Sequence, residues 1–219
     1  MTFHIITIFP EIIRPYFSKG VIGMGREKGL FDLKIYNLRE FTTDKHRKVD
    51  DTPYGGGPGM VMKVEPIFNC IQAIKDSLAK KEKSLVILTS ARGKVFNQKK
   101  AKKLVDKYQH LIFICGRYEG VDQRVAEFVA DKEFSIGKYV LSGGELAALV
   151  MTDVCARLIE GVLGNEESLI SESYNQEEFD YPVYTKPEQF KNWLVPKVLL
   201  GGNHGEIKKW RDKHRVQKN

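Results

Sequence analysis

Apolar positions along the first 160 residues switch between two periods. HIITIF at 4–9 is a short, continuous, β-branched run, the pattern of a strand buried on both faces. Pro10 follows and suits the first turn of a helix. In FDLKIYNL at 31–38, Phe31, Leu33 and Ile35 fall on one face of a second strand. After Pro66 the spacing predicts a helix from Ile67 to about Lys80, and SLVILTS at 84–90 reads as a third, buried strand. Asn97 is placed to cap a helix running to about Tyr108. LIFICG at 111–116 predicts a fourth strand. VDQRVAEFV at 121–129 predicts a short helix with Val121, Val125 and Phe128 on one face. FSIGKYVL at 134–141 reads as a fifth strand interrupted by Gly137. SGGE at 142–145 has capping-box spacing, Ser142 to Glu145, opening a helix that runs to about Ile159. Strands alternating with helices predict an α/β domain with a mainly parallel sheet.

The pattern changes after Gly164. Residues 164–180, GNEESLISESYNQEEFD, carry six acids, no base and little apolar periodicity, the composition of an exposed linker. Beyond it, one helix is expected from Pro187 through Phe190 and Trp193. Another is expected near Asn203, with Glu206 in capping-box position and Ile207, Trp210 and His214 on one face. The expected organisation is a domain over 1–163, an acidic linker over 164–180 and a small helical domain over 181–219. So short a segment makes a thin core. No internal repeat or low-complexity tract is evident.

Charge sharpens this division. The 219 residues carry a formal net charge of +7, and residues 178–219 hold nine Lys/Arg against five acids. A basic excess concentrated at one end raises the odds of a polyanionic partner. A second cluster, ARGKVFNQKKAKK at 91–103, has six positive charges and no acid, although a solvated helix face explains such a run equally well. No apolar run approaches the roughly 18 residues of a membrane span, so no membrane partner is expected. The N-terminal run lacks a basic leader and reads as a strand rather than a signal peptide. Cys70, Cys115 and Cys155 stand singly, which argues for reduced thiols and a cytoplasmic location. The five histidines lack ligand spacing, and no metal site is expected.

Three predicted strands run into glycine-bearing turns: Leu88-Thr89-Ser90 into Arg92-Gly93, Cys115 into Gly116-Arg117-Tyr118-Glu119-Gly120, and Leu141 into Ser142-Gly143-Gly144. Ligands of open α/β sheets bind beyond the carboxyl ends of the strands, where glycines let main-chain groups approach closely. One such turn is commonly only a turn; three on one edge favour a site. The usual nucleotide motifs are absent, since PYGGGPGM at 53–60 lacks GK[ST] and SGGE is not GxGxxG. PYGGGPGM reads as a flexible loop or lid. It follows Lys45, His46, Arg47 and Lys48 among Asp44, Asp50 and Asp51. That mix could clamp a phosphate backbone while acids meet base edges; a solvated loop fits the charges as well.

Together RKVDDTPYGGGPGM, CGRYEGVDQRV, SIGKYVLSGGE, EGVLGNE and VLLGGNHGEIKKWR resemble, in order, the signature blocks of the bacterial tRNA (guanine-N1)-methyltransferases. The resemblance implies a SPOUT-class α/β fold with a parallel sheet and a C-terminal trefoil knot, followed by a small α-helical domain. It also implies a homodimer, S-adenosyl-L-methionine as methyl donor, and tRNA as substrate, methylated at N1 of the guanosine 3′ to the anticodon (position 37). The cofactor pocket it implies comprises Gly116 and the stretch Ile136, Gly137, Lys138, Tyr139, Val140 and Leu141. Leu88, Thr89, Gly143 and Gly144 complete the walls, and Glu119 lies near the methionine portion. Asp50 matches a residue that reads the neighbouring guanine. His46, Arg47, Lys208, Lys209 and Arg211 are the candidate phosphate contacts.

Guanine N1 carries a proton at neutral pH, so a base must remove it as the methyl transfers, and charge developing on O6 calls for a cation. Arg157 matches the family's arginine for that task. The family's aspartate base is replaced by Glu172, which keeps a carboxylate on a longer arm. The family usually continues a few helices past HGEIKKWR, whereas this sequence stops at Asn219, so a minimal tRNA-binding domain is expected. Two other readings compete: a non-catalytic RNA-binding module, opposed by the intact SIGKYVLSGGE, and an enzyme acting on a small nucleotide, opposed by the charge skew and the acidic hinge.

Overall fold

The structure, a computed structural model, describes residues 1–164, 178–179 and 181–217. The chain divides into two compact units, Met1–Gly164 and Asn165–Asn219.

In the first unit the elements in order are β1 (Thr2–Thr7), α1 (Pro10–Ile13), α2 (Gly20–Glu27), β2 (Asp32–Asn37), β3 (Asp50–Asp51), β4 (Val61–Met62), α3 (Val64–Asp76), β5 (Ser84–Val95), α4 (Gln98–Lys107), β6 (His110–Cys115), β7 (Lys132–Ser135) and α5 (Glu145–Arg157). Five strands form one sheet in the order β2-β1-β6-β5-β7, and every pairing is parallel. Side-chain alternation divides the core. Phe3 and Ile5 of β1, Leu85 and Ile87 of β5, and Leu111 and Phe113 of β6 face a layer built from α1, α2, α4 and α5. Ile6, Val86, Leu88, Ile112 and Ile114 face the other way, onto Ile67, Cys70, Ile71 and Ile74 of α3. Both faces of the central strands are therefore dry, which is why HIITIF and LIFIC read as continuous apolar runs. Asn97 caps α4, accepting a hydrogen bond from the Lys100 amide at 3.0 Å.

Several local expectations are corrected. β5 runs to Val95 rather than Ser90, with its register against β7 shifting between Thr89 and Lys94. Gly93 permits this, because a Cβ there would lie 2.6 Å from the Glu133 and Phe134 backbone. FSIGKYVL is not a strand beyond Ser135. The Ser135 hydroxyl donates to Gly137 O at 2.7 Å and accepts from Gly137 N at 3.2 Å, turning the chain out of the sheet. Tyr139 and Val140 are then exposed, so their alternation buries nothing. The segment 121–129 forms a π-helical turn over Val125–Val129, closed by Ala130 N donating to Val125 O at 2.8 Å. The wider turn brings Val129 rather than Phe128 toward Val125, and Phe128 is 79% exposed. The capping box at 142–145 does not form: Gly144 is the N-cap without a side-chain bond, and Glu145 is buried in other contacts.

The second unit contains the backbone pairing of β8 (Glu178–Phe179) with β11 (Val216–Gln217), a hairpin of β9 (Gln189–Phe190) and β10 (Trp193–Leu194), α6 (Lys197–Leu200) and α7 (His204–His214). The helix expected from Pro187 is this hairpin instead. A spacing of three makes Phe190 and Trp193 neighbours on a helix, but the same spacing makes them cross-strand partners around Lys191-Asn192, with Lys191 at φ 55°. Asn203 does cap α7, accepting from Gly205 N at 3.1 Å and Glu206 N at 3.3 Å. Glu206 pairs with Lys209 at 2.9 Å. Trp210 is the centre of a small cluster, stacked on His214 with centroids 4.0 Å apart and edge-on to Tyr184 at 6.2 Å.

Candidate functional site

The middle of β5, from Leu88 to Arg92, and the carboxyl end of β6 open beneath the 136–144 loop and the start of α5. Leaving β7 at the sheet edge, the chain returns across that opening. There Gly144 N donates to Gly116 O at 2.8 Å before α5 begins. The approach is tight enough to require glycine. A Cβ on Gly144 would overlap the Thr89 hydroxyl and sit 2.9 Å from both Cys115 Cα and Gly116 N. Thr89 is itself held, its hydroxyl donating to Ile114 O at 2.9 Å.

The result is a cavity of about 440 Å³ lined by Leu88, Thr89, Gly116, Glu119, Ile136, Gly137, Tyr139, Val140, Leu141, Gly143 and Gly144. Of the residues expected to form a cofactor pocket, Lys138 alone is not among those lining it. The turn at 142–144 reaches the site through a loop rather than from a strand end, so β5, β7, the turn after β6 and a returning loop build the walls.

Sequence reasoning assigned no part in the site to three residues here. Arg117 crosses the floor of the cavity. Its Nε donates to Glu145 Oε2 at 2.9 Å, its Nη1 donates to Ser142 O at 3.2 Å, and its guanidinium lies 4.7 Å from the centroid of Phe9. Glu145, 1% exposed, accepts from the Thr7 hydroxyl at 2.7 Å on its other oxygen. One carboxylate thus ties the ends of β1 and β6 to the start of α5. Arg117 belongs to the quoted CGRYEG and Glu145 to SGGE, but linear spacing suggested a helix cap. The third residue is Glu133 on β7. It lines the cavity, and its Oε1 is buried without a hydrogen-bond partner among the described residues. A buried acceptor without a donor suits a ligand bearing hydroxyl or amino groups. Alternating with Asp131 and Lys132 in DKEF, Glu133 gave no signal of this. Burial, reinforced by Glu145, pushes the Cys115 thiol well above its usual range, which keeps it protonated beside the cavity.

The glycine-rich loop is pinned at its far end. Gly59, at φ 78°, presses on Glu119, where a Cβ would lie 2.6 Å from its Cγ. Glu119 N donates to Met60 O at 3.0 Å, Met62 N to Gly120 O at 3.0 Å and Asp122 N to Met62 O at 2.9 Å. Asp50 pairs with Met62 in β3–β4, so it is attached to the turn that carries Glu119. His46 and Arg47 lie on the preceding loop, where the Asp44 carboxylate accepts from His46 N at 3.0 Å and Lys48 N at 2.9 Å.

Among the other expected site residues, Arg157 of the first unit does not line the cavity. It ends α5, twelve residues beyond Glu145, about 18 Å along the helix at 1.5 Å per residue. Lys208, Lys209 and Arg211 are exposed on α7, in the second unit, with Arg211 over the Tyr181 ring at 4.8 Å. Glu172 lies outside the described residues.

The family described as "tRNA (Guanine-1)-methyltransferase TrmD" matches over residues 1–219. A tRNA (guanine-N(1)-)-methyltransferase of Dictyoglomus turgidum is 51% identical over 214 residues, covering 98% of this chain and 84% of the relative. One from Geobacter metallireducens is 47% identical over 211 residues, covering 96% and 84%. The crystal structure of a tRNA (m1G37) methyltransferase from Aquifex aeolicus superposes with a TM-score of 0.81 at 38% identity, covering 98% of this chain and 88% of that one. With a match over its whole length and this parallel sheet, the chain belongs to the tRNA (guanine-1)-methyltransferase family, of SPOUT-type α/β fold with the trefoil knot characteristic of that family.

Proposed function

We propose that this protein transfers a methyl group from S-adenosyl-L-methionine to N1 of guanosine 37 in tRNA. The observation that carries this reading is the cavity between the middle of β5, the end of β6 and the 136–144 loop, in a chain of this family. The main-chain walls at Gly116 and 136–144 suit the edge of a purine, and Glu133 Oε1 offers an acceptor to a hydroxyl or amine of the cofactor. When bound, the cofactor supplies an electrophilic methyl on a sulfonium. The protein must deprotonate guanine N1 and balance charge on O6. Glu172 is the proposed base and Arg157 the proposed cation. Asp50, His46 and Arg47 would meet the anticodon loop, and Lys208, Lys209 and Arg211 the phosphate backbone.

A homodimer completes the reading. Ile12, Tyr16, Val21, Met24, Leu146 and Val150 are exposed on α1, α2, α5 and the turn between α1 and α2, elements that pack on one another. Such a patch suits a second copy. Arg157, remote from the cavity of its own chain, would then serve the cavity of the other. The unpaired thiols Cys70, Cys115 and Cys155 support a cytoplasmic location. The test is incubation with labelled cofactor and unmodified tRNA followed by nucleoside analysis. Label in 1-methylguanosine is expected; label in another nucleoside overturns the reading.

A further inference from the structure

The β9–β10 hairpin presents an aromatic face that the second unit does not bury. Phe190 and Trp193 are directly paired across it, with ring centroids 5.6 Å apart. Yet they are 54% and 69% exposed. Trp210 packs its ring on His214 and Tyr184, whereas Trp193 meets Phe190 at a tilt of 50° and stays largely exposed. Lys191, in the turn, places its ammonium 5.7 Å from the Phe190 centroid and 6.0 Å from that of Trp193. The hairpin is closed behind by Val195 N donating to Glu188 O at 2.9 Å, and the Gln189 amide donates to Lys191 O at 2.8 Å. The rings are thus displayed on a braced turn.

A cation over two exposed rings, within a segment that carries eight Lys/Arg against three acids over 181–215, is complementary to a base attached to a phosphate. Unpaired bases of RNA are taken up by stacking on aromatic side chains, with cations holding the adjoining backbone. We propose that Phe190 and Trp193 form a stacking platform for an unpaired base of the tRNA, with Lys191 on its phosphate. This rests on the reading of tRNA as substrate and adds a contact separate from the cofactor cavity.

The sequence contains two tryptophans, so Trp210→Phe leaves Trp193 as the reporter. Titrating that variant with unmodified tRNA is expected to quench Trp193 emission saturably. The quenching should persist when salt is raised at saturating RNA, because stacking does not depend on counterion release. In the full chain, Trp193→Ala is expected to weaken tRNA binding about 5- to 150-fold, the range for losing one stacked base. Calorimetric affinity for S-adenosyl-L-methionine should be unchanged, and Trp193→Phe should recover most of the tRNA affinity. A gel shift at wild-type affinity without quenching, and with Trp193→Ala equally tight, would overturn the platform while leaving the tRNA reading intact. Absence of any tRNA binding by the wild-type protein would overturn both. An emission change that follows protein concentration without RNA would assign the face to a second copy instead.

Discussion

Gly144 shows how little tolerance the cavity has. Its missing Cβ is the space taken by the Thr89 hydroxyl and the Cys115–Gly116 backbone. Gly144→Ala therefore forces the loop away from β5 and β6, at a cost of about 1–3 kcal/mol of stability. Cofactor affinity measured by calorimetry should fall about tenfold or more, since the lining groups are displaced together. An alanine variant with wild-type affinity and melting temperature would show that the loop does not define the site. Most lining residues were legible through the family's blocks, and the Gly116 turn does end β6, whereas the turns expected at Arg92-Gly93 and Ser142-Gly144 lie inside β5 and on a returning loop. Glu133 was not legible, since its significance is a buried oxygen lacking a donor, a property of packing and not of spacing. The same holds for His4. Its ring is wholly buried, with Nδ1 3.0 Å from the Tyr36 hydroxyl and Nε2 3.0 Å from His110 Nδ1. Burial, with the neighbouring His110, lowers its pKa to about 4 from 6.5. The folded protein therefore holds His4 neutral while the unfolded chain protonates it below pH 6.5. This stability is fully present above that pH and is lost as pH falls toward 4, by about 3 kcal/mol in all. Urea midpoints should decline over that window in wild type and decline less in His4→Gln. Parallel profiles for the two proteins would remove His4 as the cause.

At the scale of elements, the buried strands announced themselves because both of their faces are covered. The misread segments share one feature: an apolar spacing compatible with more than one geometry. FSIGKYVL alternates like a strand, yet the Ser135–Gly137 hydrogen bonds release it as the cavity loop. Phe190 and Trp193 fit a helix face and a hairpin equally, and the turn at Lys191-Asn192 decides. Val121, Val125 and Phe128 fit an α-helix that became a π-helical turn. In SGGE, the longer-range attraction of Arg117 and Thr7 for Glu145 outcompeted the local cap. That competition predicts a role for Glu145 in joining β1, β6 and α5. Glu145→Gln keeps the shape but leaves the Arg117 guanidinium without its counter-charge. Breaking a buried pair from one side costs about 3–5 kcal/mol, and the retained amide–guanidinium hydrogen bond places the expected loss near the lower end. Chemical denaturation would measure it. A loss below about 1 kcal/mol, the size of an exposed ion pair, would mean the network does not brace the fold.

For the whole molecule, the sequence contains the sheet's strands but not their order, because β1 pairs with β2 and with β6, far along the chain. Nor does any periodicity reveal a knot, which general topology rules would have rejected. Assembly enters through Arg157, which sits about 18 Å along α5 from the cavity end of that helix. Arg157→Ala should raise the barrier to methyl transfer by about 2.7–4 kcal/mol while leaving cofactor affinity unchanged. If the sites are completed between two copies, refolding Gly144→Ala together with Arg157→Ala should restore about a quarter of wild-type activity, because half the dimers then contain one intact site. No recovery in the mixture would place the whole site within one chain. Methyl transfer to guanine N1 is tested most sharply with two unmodified transcripts of one tRNA, identical except for guanosine or adenosine at position 37. The first should give 1-methylguanosine in stoichiometric yield and the second no methylation. Equal methylation of both transcripts, or of neither, would contradict transfer to that guanine.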